Sequence, residues 1–251
     1  MKQILLIGIG AGDPEQITVQ AIKALNRARV FFLLDKGYVD DDLLRLRKDI
    51  CQRYIEGDDY RLVQVLDPQR EDDPQGYERG IEHWHEQRAV LFERLIGEDL
   101  GAEEVGAFLV WGDPSLYDST LRILEQVLAR GREVFDCQVI PGISSVQALV
   151  ARHRVPLNRI GEPIRITTGR RLATIPDSEL GNVVVMLDAH CGFERFVGQG
   201  LDIYWGAYLG TPDEILLSGP LDRICAQIKQ LRHEARSRKG WIMDTYLLRK
   251  Q

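Results

Sequence analysis

Three short glycine-rich turns constrain this chain more than any other feature. They are Gly8-Ile9-Gly10-Ala11-Gly12-Asp13-Pro14, Gly112-Asp113-Pro114-Ser115-Leu116-Tyr117 and Pro141-Gly142-Ile143-Ser144-Ser145. Each follows a run of apolar residues. Such runs at 2–9, 30–34, 62–66, 105–110 and 134–140 read as buried strands. The segments 16–28, 43–54, 77–96 and 118–130 carry helical apolar spacing, with Asp118 placed to cap the last and Gly131 to stop it. Strand and helix therefore alternate through the first half. That pattern predicts a parallel sheet covered by helices on both faces. Ligands bind such sheets outside the carboxyl ends of the strands. All three glycine turns follow strands, so all three are expected on that edge.

The second half reads differently. Strands are expected at 164–168, 182–187, 203–209, 214–218 and 241–248, with one helix at about 220–235. Few helical crossovers remain, which points to a mixed α/β sheet. The boundary is placed just after Ile143, giving an N-terminal α/β domain at 1–143 and a C-terminal mixed domain at 144–251. The segment 67–76, with two prolines, a glycine and four acids, reads as a loop.

Composition narrows the function classes. Hydrophobic residues make up 44% of the 251, and charged residues 28%, which excludes a mainly disordered chain. No apolar run is long enough to cross a membrane. The run after Met1-Lys2-Gln3 is too short for a secretory signal. The four cysteines, Cys51, Cys137, Cys191 and Cys225, lie far apart and form no metal-binding pair. A cytoplasmic protein without a metal is expected. The net charge of −6 argues against a nucleic-acid partner.

Taken singly, each motif has a plain structural reading. The first turn is one residue short of a dinucleotide-binding glycine pattern, and Asp13 sets a carboxylate where a phosphate would lie. Asp35, ending the second strand, stands where a ribose-binding acid would. Asp113, Ser144 and Ser145 are ordinary helix caps. His83 and His85 sit two apart on a helix and face different sides, so they make poor joint ligands. Asp188-Ala189-His190-Cys191 has the residue types of a nucleophile and its base, but chain neighbours need not face one another. The segment 151–171 holds six arginines and one acid in a net acidic protein. Arginine grips carboxylates through a planar fork, so an anionic substrate is expected, with Arg170 and Arg171 as its best candidate ligands. The alternative is a solvated basic face.

Together, GIGAGDPEQIT at 8–18, GDPSLY at 112–117, PGISS at 141–145 and GTPDE at 210–214 resemble the tetrapyrrole (corrin/porphyrin) methylases over nearly the full chain. Two positions depart from the family pattern: Ala11, where the family often has Pro, and Trp111, where it often has Gly. The resemblance implies a two-domain α/β fold that binds S-adenosylmethionine in a cleft between the domains and yields S-adenosylhomocysteine. Carried over by motif, cofactor contacts fall on Trp111, Gly112, Asp113, Leu116, Ser144, Ser145, Leu187 and Leu209. The first glycine loop, with Gly10 and Gly12, is implied to shape the substrate trough. Segments 31–37, 167–172 and 184–188 resemble most the members that methylate precorrin-5 at C1 and release acetate. A homodimer is also implied.

On this reading Asp35 is the leading candidate for a general base and Asp13 the second. Backbone N–H groups of the glycine turns are candidates for stabilising an acetyl oxyanion. Three other readings remain open. They are a methylase acting on precorrin-2 or precorrin-4, a nucleotide-dependent oxidoreductase using Asp35, and a non-catalytic S-adenosylmethionine-binding protein. Acetate release, NAD(P) binding and cofactor binding without turnover, respectively, would separate them.

Overall fold

A computed structural model describes residues 1–37, 42–70, 76–176 and 179–250. Much of the loop expected at 67–76 thus lies outside the described residues. The chain divides into two compact units, Met1–Ser144 and Ser145–Gln251.

The first unit is built on five parallel strands: β1 (Lys2–Gly8), β2 (Val30–Asp35), β3 (Arg61–Leu66), β4 (Val105–Val110) and β5 (Phe135–Ile140). Their order across the sheet is β3-β2-β4-β1-β5. The connecting helices are α1 (Val19–Leu25), α2 (Asp42–Tyr54), α3 (Tyr77–Glu98) and α4 (Thr120–Arg130). Strand alternation sorts the core. Ile4, Leu6 and Phe108 face α3 and α4, where Phe92 stacks on Phe108 at 4.4 Å between ring centroids. Leu5, Ile7 and Phe31 face α1 and α2. Residues Ile4 to Ile7 are fully buried, because a central parallel strand is covered on both sides. Ser119 stands at the N-terminal boundary of α4, and the expected cap Asp118 accepts the Thr120 N–H at 2.7 Å. Gly131 ends α4 in the left-handed conformation at φ 70.

The topology places a crevice. β1 leads through α1 to β2 on one side, and β4 leads through α4 to β5 on the other. The loops leaving neighbouring strands β1 and β4 therefore depart towards opposite faces, the arrangement that opens a ligand site at a sheet's carboxyl edge. β2 and β4 pair only over Val30–Phe32 and then part. The Leu109 carbonyl accepts instead from Arg47 Nε of α2 at 3.0 Å, so that it is not left unpaired.

The second unit carries β6 (Arg165–Thr168), β7 (Asn182–Met186), β8 (Leu201–Ala207), β9 (Ile215–Pro220) and β10 (Asp244–Lys250) in the order β6-β7-β10-β8-β9. Only β6 and β7 run parallel. Its helices are α5 (Ser145–His153), α6 (Gly169–Leu172) and α7 (Leu221–Lys239). Val185, Tyr246 and Trp205 lie in register across β7, β10 and β8 and pack in one core with Leu221 and Ile228 of α7. Under that core Asp244 accepts from Trp205 Nε1 at 2.8 Å and Arg232 Nε at 3.0 Å. Replacing Arg232 by Leu leaves Asp244 buried without its counter-charge. We expect a loss of about 3–5 kcal/mol in urea unfolding.

Candidate active site

The carboxyl ends of β1, β4 and β5 bring the three glycine turns into backbone contact. A Cβ built on Gly8 would lie 2.6 Å from Gly142 N and 2.9 Å from Gly112 O. One built on Gly142 would collide with Gly112 O and lie 2.8 Å from Gly8 Cα. Only glycine fits at either position. Hydrogen bonds fix the contact. Ile9 N–H donates to Val110 O at 2.9 Å, Gly112 N–H to Gly10 O at 2.8 Å, and Gly10 N–H to Gly112 O at 3.4 Å. Gly10 and Gly112, at φ 85 and 75, are the two residues of this bridge.

Asp113 ties the third turn to the second. Its Oδ2 accepts the Gly142 N–H at 2.8 Å. Its Oδ1 accepts the Ser115 N–H at 2.8 Å and the Ser115 hydroxyl. Burial by itself would raise this carboxyl's pKa. The bonds from Ser115 and Gly142 outweigh it and hold the group below the usual carboxylate range. Asp113 thus caps its own turn rather than the following helix, which begins at Thr120, and also binds its neighbour.

The first loop is pinned from two more directions. Ala11, 3% exposed, gives its N–H to Gln16 Oε1 at 3.1 Å, and its carbonyl accepts from Trp111 Nε1. The two departures from the family pattern, Ala11 and Trp111, are therefore hydrogen-bond partners. Gly12 follows within the same loop. Asp13 caps the short 3-10 turn Pro14–Gln16, its Oδ1 accepting the Glu15 N–H at 2.9 Å. Leu116 N–H donates to Asp113 O at 3.2 Å, and Ser144 is buried at the end of the third turn.

Two groups of candidate residues also carry structural bonds. Asp35 lies on the same edge but at the end of β2, on the far side of β4 from β1. Its Oδ1 accepts the Gly37 N–H at 2.7 Å and its Oδ2 accepts from Gln64 at 2.8 Å, which is the work of a turn residue. Several of the expected oxyanion donors are also engaged. The N–H groups of Ile9, Gly10, Ala11, Gly112 and Gly142 all donate within the turns themselves.

In the second unit, Leu187 directly follows β7 at φ 54 and is 50% exposed. A bulky residue there is a backbone outlier. The next residue, Asp188, holds it. Asp188 Oδ2 accepts from Tyr246 Oη at 2.6 Å and Gly192 N at 2.6 Å, and Oδ1 accepts from His190 N at 2.9 Å. The Asp188 carbonyl accepts from Arg232. His190 thus meets Asp188 through its backbone, and burial raises the Cys191 thiol's pKa. This is not an activated nucleophile. A Cβ on Gly169 would lie 2.5 Å from Asp188 Cα, so the α6 turn packs directly on this residue.

Leu209 is buried and packs on Gly206, where a Cβ would meet Leu209 Cδ2 at 2.7 Å. Any role for Leu209 at the site falls to its backbone. Ser145 opens α5, its Oγ accepting from Thr245 Oγ1 at 3.0 Å. Glu214 Oε2 accepts the Gly210 N–H at 2.9 Å, closing the 210–214 loop, and pairs with Arg152. Arg152, Arg159 and Arg165 of the basic stretch are engaged by Glu214, the Lys250 carbonyl and Glu179. Arg170 and Arg171 stand exposed on α6.

Sequence reasoning missed Gln16 and the role of Asp188. Nothing in the spacing marks Gln16. Asp188 had a signal, since a lone acid directly behind an apolar strand needs several donors. Among the described residues no helix is long and apolar enough to cross a membrane, and no cluster of His, Cys, Asp and Glu could hold a metal. An open cavity of about 690 Å³ around His83, His85 and Arg122 touches none of the three turns.

The chain is similar to known proteins. A sequence model of the Tetrapyrrole (Corrin/Porphyrin) Methylases matches residues 3–225. The precorrin-6A synthase [deacetylating] of Sinorhizobium sp is 50% identical over 250 residues, covering 100% of this chain and 96% of the relative. The crystal structure of a cobalamin-synthesis-related protein, CobF, of Corynebacterium diphtheriae has a TM-score of 0.86 and 41% identity, over 100% of this chain and 99% of that one. The uroporphyrin-III C-methyl transferase of Thermus thermophilus, solved with S-adenosylhomocysteine, shares the fold at a TM-score of 0.57 and 19% identity, over 98% of this chain and 97% of that one.

Two outcomes test the turn geometry. Gly142→Ala forces a methyl group onto two neighbouring backbones. It should cost about 1–3 kcal/mol of stability in urea unfolding. Asp113→Asn sets an amide N–H₂ or a lone acceptor against donors on two sides. It should destabilise by about 1–3 kcal/mol at neutral pH. Because the folded pKa of Asp113 is depressed, its contribution is present above the ordinary carboxylate range, about 4, and is lost as pH falls below it. Over that window the wild type should lose more stability than the Asn variant.

Proposed function

The chain belongs to the tetrapyrrole (corrin/porphyrin) methylases, and from that premise we propose that it uses S-adenosylmethionine to methylate precorrin-5 at C1 and releases the acetyl group as acetate, giving precorrin-6A. It is a methyltransferase of cobalamin biosynthesis. The observation that carries the specific reaction is the match, at 50% identity and full length, to the deacetylating synthase.

The residues present fit an adenosyl sulfonium. Gly112 leaves its Cα open, since a Cβ there would meet nothing nearer than Ser144 Cα at 3.8 Å. Asp113, held ionised beside it, complements a cation. Leu116, in the same turn, offers apolar surface of the kind an adenine takes. When bound, S-adenosylmethionine supplies a methyl group on positively charged sulfur, open to displacement by a nucleophilic carbon.

The protein's contribution is chiefly positioning. The bridged turns present a backbone surface that does not have to reorganise. Asp35, at the end of β2, and Asp13, in the first loop, are the candidate bases for the water that removes the acetyl group, each also holding its own turn. Arg170 and Arg171 are the candidate partners of the substrate's carboxylates.

Incubation with S-adenosylmethionine and precorrin-5 should yield a pigment that has gained one methyl and lost its acetyl group by mass spectrometry, with acetate in solution. An unchanged pigment, with S-adenosylhomocysteine still bound, would sink the substrate assignment. Replacing Arg170 and Arg171 together by Ala should raise the pigment's KM about tenfold while kcat changes little, the signature of lost ground-state binding.

A further inference from the structure

The bridge between Gly10 and Gly112 consists of two hydrogen bonds at a single residue pair. Two bonds so close together act as a hinge, about which the tip of the first loop can still swing. A third attachment, off that axis, removes the freedom. Trp111 supplies it on the β4 side, its Nε1 donating to the carbonyl of Ala11, one residue beyond the bridge, while Tyr54 Oη of α2 donates to Pro14 O at 3.1 Å at the loop's far end. The Ala11 N–H is taken by Gln16, so side chains engage both polar groups of this residue. Tryptophan is well suited to such an attachment, since it reaches far, has two side-chain torsions to order, and carries one directional donor.

We propose that Trp111 is a positioning residue whose indole N–H locks the loop after β1 onto the turn after β4, fixing the surface offered to the tetrapyrrole against the turn that receives the methyl donor. The inference rests on the reading of this edge as the methyl-transfer site. It separates two roles within one residue. The backbone of Trp111 belongs to the donor's turn, and its side chain serves the substrate's loop.

The test compares wild type with Trp111→Phe, which keeps the ring and loses the donor. Deuterium exchange of the 9–13 amides should quicken several-fold in the variant. The kcat for methyl transfer should fall about tenfold, the size of one lost hydrogen bond. Affinity for S-adenosylhomocysteine and the melting temperature should stay close to wild type. Trp111→His, which keeps a ring N–H, should stand between the two. Wild-type kcat and wild-type exchange in Trp111→Phe would overturn the proposal. So would parallel losses of kcat, S-adenosylhomocysteine affinity and melting temperature, since those report a merely structural residue. Wild-type protein that binds S-adenosylhomocysteine but leaves the pigment unchanged would overturn the underlying reading instead.

Discussion

Three segments of main chain, at Gly8, Gly112 and Gly142, touch at the carboxyl edge of the first sheet with no room for a side chain between them. The contact is close because β4, β1 and β5 are adjacent parallel strands, each ending at the same level. Backbone polar groups brought together in this way must find partners, and they find one another. The site's shape is therefore set by main chain rather than by side-chain choice. Asp113 is the one charged group within the contact, and its carboxylate takes up the donors that the backbone bridge leaves over. The same bonding takes up the N–H groups of Ile9, Gly10, Ala11, Gly112 and Gly142. A chemistry that needs fixed backbone surface is served.

Much of this was legible in the sequence. Alternating runs of helical and strand spacing pointed to the parallel sheet, since a strand buried on both faces leaves an unbroken apolar run such as Ile4-Leu5-Leu6-Ile7. Glycines directly behind such runs pointed to the edge. The mixed second sheet was legible from the loss of helical crossovers. What could not be read was which long-range partner each polar side chain takes. The Trp111–Ala11 and Asp113–Gly142 bonds join residues 100 and 29 positions apart. Local sequence equally supports a plain helix cap at Asp113 and a base at Asp35. Only the folded sheet shows that Asp35 is occupied by Gly37 and Gln64 while Asp113 reaches the next turn.

The second unit fixes its backbone by other means. Leu187 sits in a left-handed conformation that costs of order 1–2 kcal/mol for a residue with a Cβ. No glycine relieves it. Instead the following residue is buried in a network in which Tyr246, Gly192, His190 and Arg232 all donate to Asp188, and Asp244 holds Arg232 in turn. Burial together with the neighbouring Asp188 charge pushes the Tyr246 phenol well above its ordinary pKa, so it remains a donor at any working pH. Strain held by a satisfied polar network persists, whereas strain without one would relax.

These two devices differ in what they tolerate. In the first unit a substitution at Gly8 or Gly142 displaces backbone, so the geometry there permits no alternative residue. In the second unit the half-exposed Leu187 side chain is supported from behind and leaves its outward face unconstrained by packing. Backbone contacts built from glycine suit the part of a ligand that never varies. A side chain held in place by a network beneath it can be exchanged without rebuilding the loop. Trp111 falls between these cases, since its main chain belongs to the rigid bridge while its indole settles how the neighbouring loop lies.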